Sequence, residues 1–463
     1  MHSNLKPTRV FEIFFDICKI PHGSGNCEKI ADYCVEFAKS HNLPYKRDTL
    51  NNVMIYQEGK GEPICVQAHL DMVCEKLDCK EIDFLSDPIT PVIEGDHIRA
   101  DGTTLGADNG IGLAFCLALL EEDVENPLEI LLTADEETGL IGANGLDRSW
   151  ISARKLINLD SEEEGIITVG CASGATAGIK MPLSLDDTKG EWINLTVSGL
   201  AGGHSGVDIA KGRLNAVKLL FDVISRIGDV RLAEICGGSK DNAIPRKATA
   251  KLLMTENISL LESAIREVVA EAVNTEQVQI EYTKETATLP AASIEDSKKI
   301  VDILHRHPSG VMTMSPDIEG MVESSLNLAI IGMDKGFYAD CMVRSSKNSA
   351  AEDIFREIYK IAEDNGAEAQ HHIAFPAWEY RENSRLQAVA EDSYLELFGK
   401  KAEVQLIHAG LECGVISDGI DGLESISIGP DLWDVHTTEE TLSVSSTYRT
   451  WQYVLKILEN LTK

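Results

Sequence analysis

The chain has 463 residues, 42 of them basic and 75 acidic, giving a formal net charge of −33. Phosphate surfaces repel a polyanion, so neither nucleic acid nor an anionic membrane is expected as a partner, whereas divalent cations are attracted. The length exceeds a single core, and 43% hydrophobic with 25% charged residues fits an ordinary globular protein of two domains.

The 11 cysteines are an odd number without a Cys-x-x-Cys pair, which argues against a disulfide framework and a thiolate zinc site and points to a reducing cytoplasm. Met1 to Lys19 mixes Lys6, Arg9, Glu12 and Asp16 among apolar residues, which predicts an amphipathic first helix rather than a targeting segment. No run approaches the roughly 18 apolar residues that a membrane span needs.

A turn-rich stretch over 20–26 precedes a second predicted helix, Glu28 to Ser40. Strands are predicted over Val53–Tyr56 and Ile64–Gln67, the latter running into Ala68-His69-Leu70-Asp71. A Gly-rich stretch from Asp101 to Asp108 hands over to an apolar helix, Gly110 to Glu121. The apolar run Leu128–Ala134 reads as a buried strand, and Asp135-Glu136-Glu137 follows where it should emerge. Three adjacent carboxylates need compensating charge, which a metal ion supplies while leaving one carboxylate as a base. Lys155–Leu159 is a further strand, ending on Asp160. Strands alternating with helices predict an α/β catalytic domain with a mostly parallel sheet covered by helices.

Beyond a polar connection at 186–190 the pattern changes. Strands over Trp192–Ser198, Arg231–Ile235, Ala248–Met254 and Val278–Thr283 enclose helices Leu214–Arg226 and Leu260–Val273. The order recurs about 90 residues on. There, helices Ile294–His305 and Ala351–Ala362 accompany strands Leu326–Ile331, Phe337–Val343 and Glu368–Phe375. This is an inserted α+β lid domain of two ferredoxin-like halves, the first strand of the second half being unplaced. From Ser384 the first domain resumes with a helix to Leu397, strands Val404–Ile407 and Ser425–Ile428, and a closing helix, Thr447–Leu461. The expected boundaries are 1–188 and 379–463 for the catalytic domain and 189–378 for the insertion.

Five groups each follow a predicted strand or Gly-rich turn: His69, Asp108, the Glu136-Glu137 pair, Asp160 and His436. Singly, each has an ordinary structural reading, such as a helix cap for Asp108. Converging on one sheet edge, two histidines and three carboxylates would form a two-metal site of nitrogen and oxygen ligands, suited to Zn first and to Co or Mn as well. One glutamate then remains uncoordinated. Asp71, two residues beyond His69, is placed to hold the imidazole's other nitrogen.

Ala68-His69-Leu70-Asp71-Met72-Val73, Leu105-Gly106-Ala107-Asp108-Asn109-Gly110, Asp135-Glu136-Glu137-Thr138-Gly139, Asn158-Leu159-Asp160 and Asp434-Val435-His436 together resemble the M20 metallopeptidases, most closely the aminoacyl-histidine dipeptidase branch. The resemblance implies that His69 and Asp160 hold one metal, Glu137 and His436 the other, and Asp108 bridges them. It further implies that Asp71 orients His69, that Glu136 is the general base, and that the Asp108-Asn109 peptide is cis. Asp135 receives no role. In the insertion, Gly199 to Gly206 resembles the family's lid loop, whose histidine, here His204, helps to stabilise an oxyanion. Asn242 and Arg344 resemble substrate-holding positions, Arg344 suiting a terminal carboxylate. The loop with Gly410 and Glu412 is expected to line the same pocket, Glu412 meeting a free amine or lying on the surface.

The implied activity is two-metal hydrolysis of unblocked dipeptides, Xaa-His included. Alternatives are deacylation of N-acyl amino acids and a non-catalytic metal or peptide binder, the latter disfavoured because Glu136 is dispensable for binding metal. A monomer or homodimer is expected, with the duplicated lid delivering His204 within one chain.

Overall fold

The computed structural model describes residues 5–272, 277–316 and 318–463. The first four positions of the expected opening helix and Val273 of the expected helix Leu260–Val273 lie outside the described residues. The chain separates into two compact units, one of residues up to Cys171, Trp378–Ile407 and Leu411–Lys463, the other of Ala172–Ala377 and His408–Gly410.

In the first unit, α1 (Thr8–Ile17) buries Val10, Phe11, Phe14 and Ile17 along one face, and α2 (Glu28–Ser40) does the same with Ile30, Cys34 and Phe37. Strands β1 (Tyr45–Arg47), β2 (Val53–Gln57) and β3 (Ile64–His69) precede α3 (Ala107–Leu119), after which come β4 (Leu128–Thr133), β5 (Lys155–Asn158) and β6 (Ile166–Cys171). Every residue of β3, β4 and β5 is buried, which explains why apolar residues fall on both faces of these strands. All of α3 except Asp108 is buried as well, so its apolar residues fall on every side.

The second unit contains β7 (Ser173–Met181), β8 (Leu185–Ser198), α4 (Ala216–Ser225), β9 (Val230–Gly237), β10 (Ala248–Met254), α5 (Ile258–Glu271), β11 (Gln279–Ala292), α6 (Ile294–Arg306), β12 (Val322–Met333), β13 (Phe337–Ser345), α7 (Asn348–Asp364) and β14 (Glu368–Phe375). Its strands lie in the order β11-β8-β10-β9-β12-β13-β7-β14. The first ferredoxin-like half is β8-α4-β9-β10-α5-β11. The second is β7-α6-β12-β13-α7-β14, so its unplaced first strand is β7, which precedes the whole first half in sequence. The halves join where Cys236 and Gly237 pair with Gly332 and Ile331. A continuous core that includes Leu195, Phe221, Ile300, Phe337 and Phe355 underlies both.

This topology moves the expected boundary. Residues 173–181 pair in register with β13 and β14, so the unit changes at Cys171/Ala172, and the expected division at 188/189 falls inside β8. The polar stretch 186–190 is not a connection but the exposed end of a long antiparallel ladder between β8 and β11.

The first unit resumes with α8 (Arg385–Phe398), β15 (Glu403–Ile407), α9 (Glu412–Ser417), β16 (Glu424–Ser427) and α10 (Val444–Leu461). Its sheet has the order β1-β2-β4-β3-β5-β16-β6-β15. The central β4-β3-β5-β16 ladders are parallel, so the carboxyl ends of β3, β4 and β5 face one edge, where open α/β sheets collect ligands.

Candidate active site

His69 is the last residue of β3, Asp135 to Glu137 follow β4, and Asp160 follows β5 by two residues. Asp108 reaches the same edge because α3 is broken at its start: Asp108 and Asn109 have non-helical backbone angles, and their peptide bond is cis. Gly106 precedes them at φ +72°, where a Cβ would sit 2.6 Å from the Met72 sulfur, so only glycine fits. His436, at φ 61°, lies on the loop between two short strands, Leu432–Trp433 and Thr441–Ser443.

The imidazole Nε2 of His69 is 3.2 Å from Asp108 and 3.3 Å from Asp160. The Nε2 of His436 is 3.0 Å from the other Asp108 oxygen and 2.9 Å from Glu137. Asp108 therefore stands between the histidines, one oxygen to each. His69, Asp108 and Asp160 offer ligand atoms mutually within 4.8 Å, and so do Asp108, Glu137 and His436. Glu136 also lies within that distance of His69 and Glu137. Among the described residues, none of these groups includes a cysteine.

The electrostatics of the cluster call for a cation. Burial raises Glu136 well above the usual carboxylate range, and it pushes Asp160 up to about 6. Burial also opposes ionisation of Asp108, but hydrogen bonds from His436 and His69 outweigh it and keep the group ionised. His436, bonded to Asp108 and Glu137, is pushed up to about 11. Protons here do what a metal would do, neutralising crowded carboxylates. The donor set of imidazole nitrogens and carboxylate oxygens, with a shared central carboxylate, fits a pair of divalent ions.

Asp71 has a wider part than expected. The Nδ1 of His69 lies 3.0 Å from the Asp71 backbone carbonyl and 3.4 Å from its carboxylate, so the main chain is the closer partner. The carboxylate accepts hydrogen bonds from the backbone N–H of Glu136 at 2.9 Å, that of Glu137 at 3.3 Å, and the Ser24 hydroxyl at 2.8 Å. It thus orients the turn that carries both glutamates. Asp135, with no role in the sequence, accepts from the Gly25 N–H at 2.6 Å and the Cys27 thiol, pinning the loop after α1.

Glu412 is fully buried rather than on the surface. Its Oε2 accepts from Gln67 at 2.5 Å and Thr133 at 2.7 Å, and Asn158 donates in turn to Gln67. This network spans β3, β4 and β5, leaves Oε1 without a hydrogen bond, and burial pushes the carboxyl up to about 7. Two further contributors escaped the sequence reading. The Asn109 amide donates to Asp160, and Glu440 accepts from four backbone N–H groups at residues 105–108. Glu440 reads as half of an acidic pair with Glu439, and only its spacing of four from His436 could have drawn attention.

His204, Asn242, Arg344 and Gly410 belong to the second unit. Gly203 and His204 pair with Ile244 and Ala243, and the Ser205 N–H donates to the Asn242 carbonyl at 2.8 Å, so the His204 and Asn242 loops are joined. The His204 Nδ1 accepts from the N–H of Gly206 at 3.1 Å and of Val207 at 3.3 Å. That assigns the proton to Nε2, as a hydrogen-bond donor. Burial, helped by the Arg344 charge, lowers its pKa and keeps the ring neutral. Arg344 is buried on β13, and a Cβ at Gly410 would sit 2.5 Å from the Phe375 ring.

The profile of peptidase family M20/M25/M40 matches residues 65–460. The chain is 35% identical to the cytosol non-specific dipeptidase of Escherichia coli (strain K12), over 99% of each chain. It is similar to the crystal structure of aminoacylhistidine dipeptidase from Vibrio alginolyticus, with a TM-score of 0.89, 34% identity, and 99% and 98% of the two chains covered. Aminopeptidase PepT from Bacillus cereus, at 16% identity and a TM-score of 0.58 over 99% and 100% of the chains, shares the fold. The chain therefore belongs to peptidase family M20/M25/M40.

Proposed function

We propose that this chain hydrolyses the peptide bond of unblocked dipeptides, Xaa-His included, with two divalent metal ions and Glu136 as general base. The observation that carries the reading is the pair of donor triads sharing Asp108, complete without Glu136. His69 and Asp160 would hold one ion, Glu137 and His436 the other, and Asp108 both. When bound, such ions polarise the scissile carbonyl and make a water acidic enough to be deprotonated near neutral pH.

The remaining work falls to the chain itself. Glu136, its amide fixed by Asp71, takes a proton from the attacking water at a carboxylate oxygen and delivers it to the departing amine. Its raised proton affinity suits that return delivery. Glu412 offers its unpaired Oε1 to the substrate's ammonium group, a reading supported by a carboxylate otherwise held by Gln67 and Thr133. His204 donates its Nε2 proton to the developing oxyanion, Asn242 assists in holding the substrate, Arg344 receives the terminal carboxylate, and Gly410 gives the backbone room in that pocket. We assign His204 to its own chain, because the second unit already carries both lid halves in one sheet. Zn is the proposed ion, with Co and Mn also suited to the donors. The name of the E. coli relative supports a cytoplasmic location.

A turnover panel of free dipeptides, tripeptides and N-acyl amino acids, with Zn, Mn or Co added to chelator-stripped protein, tests the reading. Dipeptides should be cleaved, blocked substrates should not, and preferential turnover of N-acyl amino acids would replace the assignment with deacylation. Mixing Glu136→Gln and His204→Ala chains should not restore activity, and restoration would show that sites are shared between chains.

A further inference from the structure

Glu440 is 2% exposed and lies 332 to 335 residues from its partners along the chain. One carboxylate oxygen accepts from the N–H of Leu105 at 2.7 Å and of Gly106 at 3.0 Å, the other from Ala107 at 2.8 Å and Asp108 at 3.2 Å. These four amides run from the two residues before α3 into its irregular start, and consecutive N–H groups of this kind form an anion-binding nest. The chain fills the nest with its own side chain. The Glu440 N–H bonds back to Thr437, the Thr437 hydroxyl bonds to the Asp434 carbonyl, and His436 lies within this short loop. One carboxylate thus ties the segment that presents Asp108 to the loop that presents His436, whose side chains meet at 3.0 Å.

We propose that Glu440 is a positioning residue that clamps the Asp108 and His436 loops together and thereby sets the affinity of the two-metal site. The inference rests on the metal reading above and touches no substrate. A metal ion held there would tie Asp108 to His436 through their side chains, and Glu440 ties the same two segments through the backbone amides of residues 105–108. With the clamp in place, the loops are held before the ion arrives, and less ordering is required on binding. Glutamine keeps the shape but presents one oxygen and one NH2 group to four donors, so two amides lose their acceptor. Aspartate keeps the charge on a shorter arm.

The test is calorimetric titration of Zn2+ or Co2+ into the chelator-stripped full chain, beside amide hydrogen exchange of residues 105–108. Glu440→Gln should bind at least one of two ions about 10- to 100-fold more weakly. It should also exchange the amides of Leu105 to Asp108 faster, with those of β3 unchanged. Glu440→Asp should lie between the two, and it decides the matter if the glutamine variant does not fold. Parental affinity for both ions in the folded variant, or unchanged exchange at 105–108, would overturn the clamp. Failure of the parental chain to bind two ions would instead overturn the metal reading, and the clamp with it.

Discussion

Replacing Asp71 with Asn probes the turn that holds both glutamates. The carboxylate accepts from the Glu136 and Glu137 amides and from Ser24. An asparagine would keep its oxygen toward the Glu136 N–H and place its NH2 where Oδ2 lies, because the Ser24 hydroxyl can rotate to accept. The Glu137 amide then faces a donor and loses its acceptor. One lost bond to a charged group costs about 1.5–3 kcal/mol, so Asp71→Asn should lower the unfolding free energy of the chelator-stripped protein by about 2 kcal/mol. Disturbing a partner of ligand-bearing residues typically weakens metal binding 10- to 100-fold, about 1.4–2.8 kcal/mol. The larger effect is expected at the ion held by Glu137 and His436. Denaturant titration and calorimetry read the two quantities separately. A variant with the parental denaturation midpoint and parental metal affinities would refute the assignment of Asp71 as the hub of this turn.

Gly112→Ala should act on the site from within α3: a Cβ there would sit 2.5 Å from the Leu159 carbonyl and strike the Asn109 side chain, which holds Asp160. Although alanine is the better helix former by about 1 kcal/mol, the variant should melt lower and bind metal more weakly, which thermal unfolding and metal titration check. In the second unit, burial pushes His307 down to about 4, so the folded state keeps it neutral while the unfolded chain protonates near 6.5. Its contribution, about 3 kcal/mol, is present in full above about pH 6.5 and is lost as pH falls toward 4. His307→Gln should flatten the fall in unfolding free energy between pH 7 and 4.5, and an unchanged slope would exclude His307 as its source. His408, also pushed down to about 4 by burial, adds a loss of the same sign in the same window.

How much of this could be read beforehand depends on where each residue's partners lie in the chain. Buried strands such as Leu128–Thr133 announce themselves because both faces are covered, and ligands at strand ends follow from them. Strand 173–181 is silent in the sequence because Gly, Ala, Ser and Thr dominate it and give no apolar run or alternation, whereas Ile166–Cys171 opens on a β-branched run that local propensity does record. The second half of the insertion lacked its first strand for a topological reason: the first half is inserted behind it, and adjacency in sequence is a poor guide when one module interrupts another. Glu440 was invisible because its partners are backbone amides more than 330 residues away, and no side-chain pattern records them. Asp71 was found from its spacing to His69, but the spacing concealed that the closer link to His69 is a carbonyl and that the carboxylate serves the next strand's turn.

The central claim separates metal holding from proton transfer, with Glu136 in the second task alone. Measuring metal content and dipeptide turnover on the same preparation of Glu136→Gln tests it most directly. General acid–base catalysis contributes about 10²- to 10⁴-fold, so the variant should retain two ions per chain while turnover falls by at least that lower factor. Two ions with unchanged turnover would contradict the account, and so would loss of an ion in step with loss of activity, which would make Glu136 a ligand.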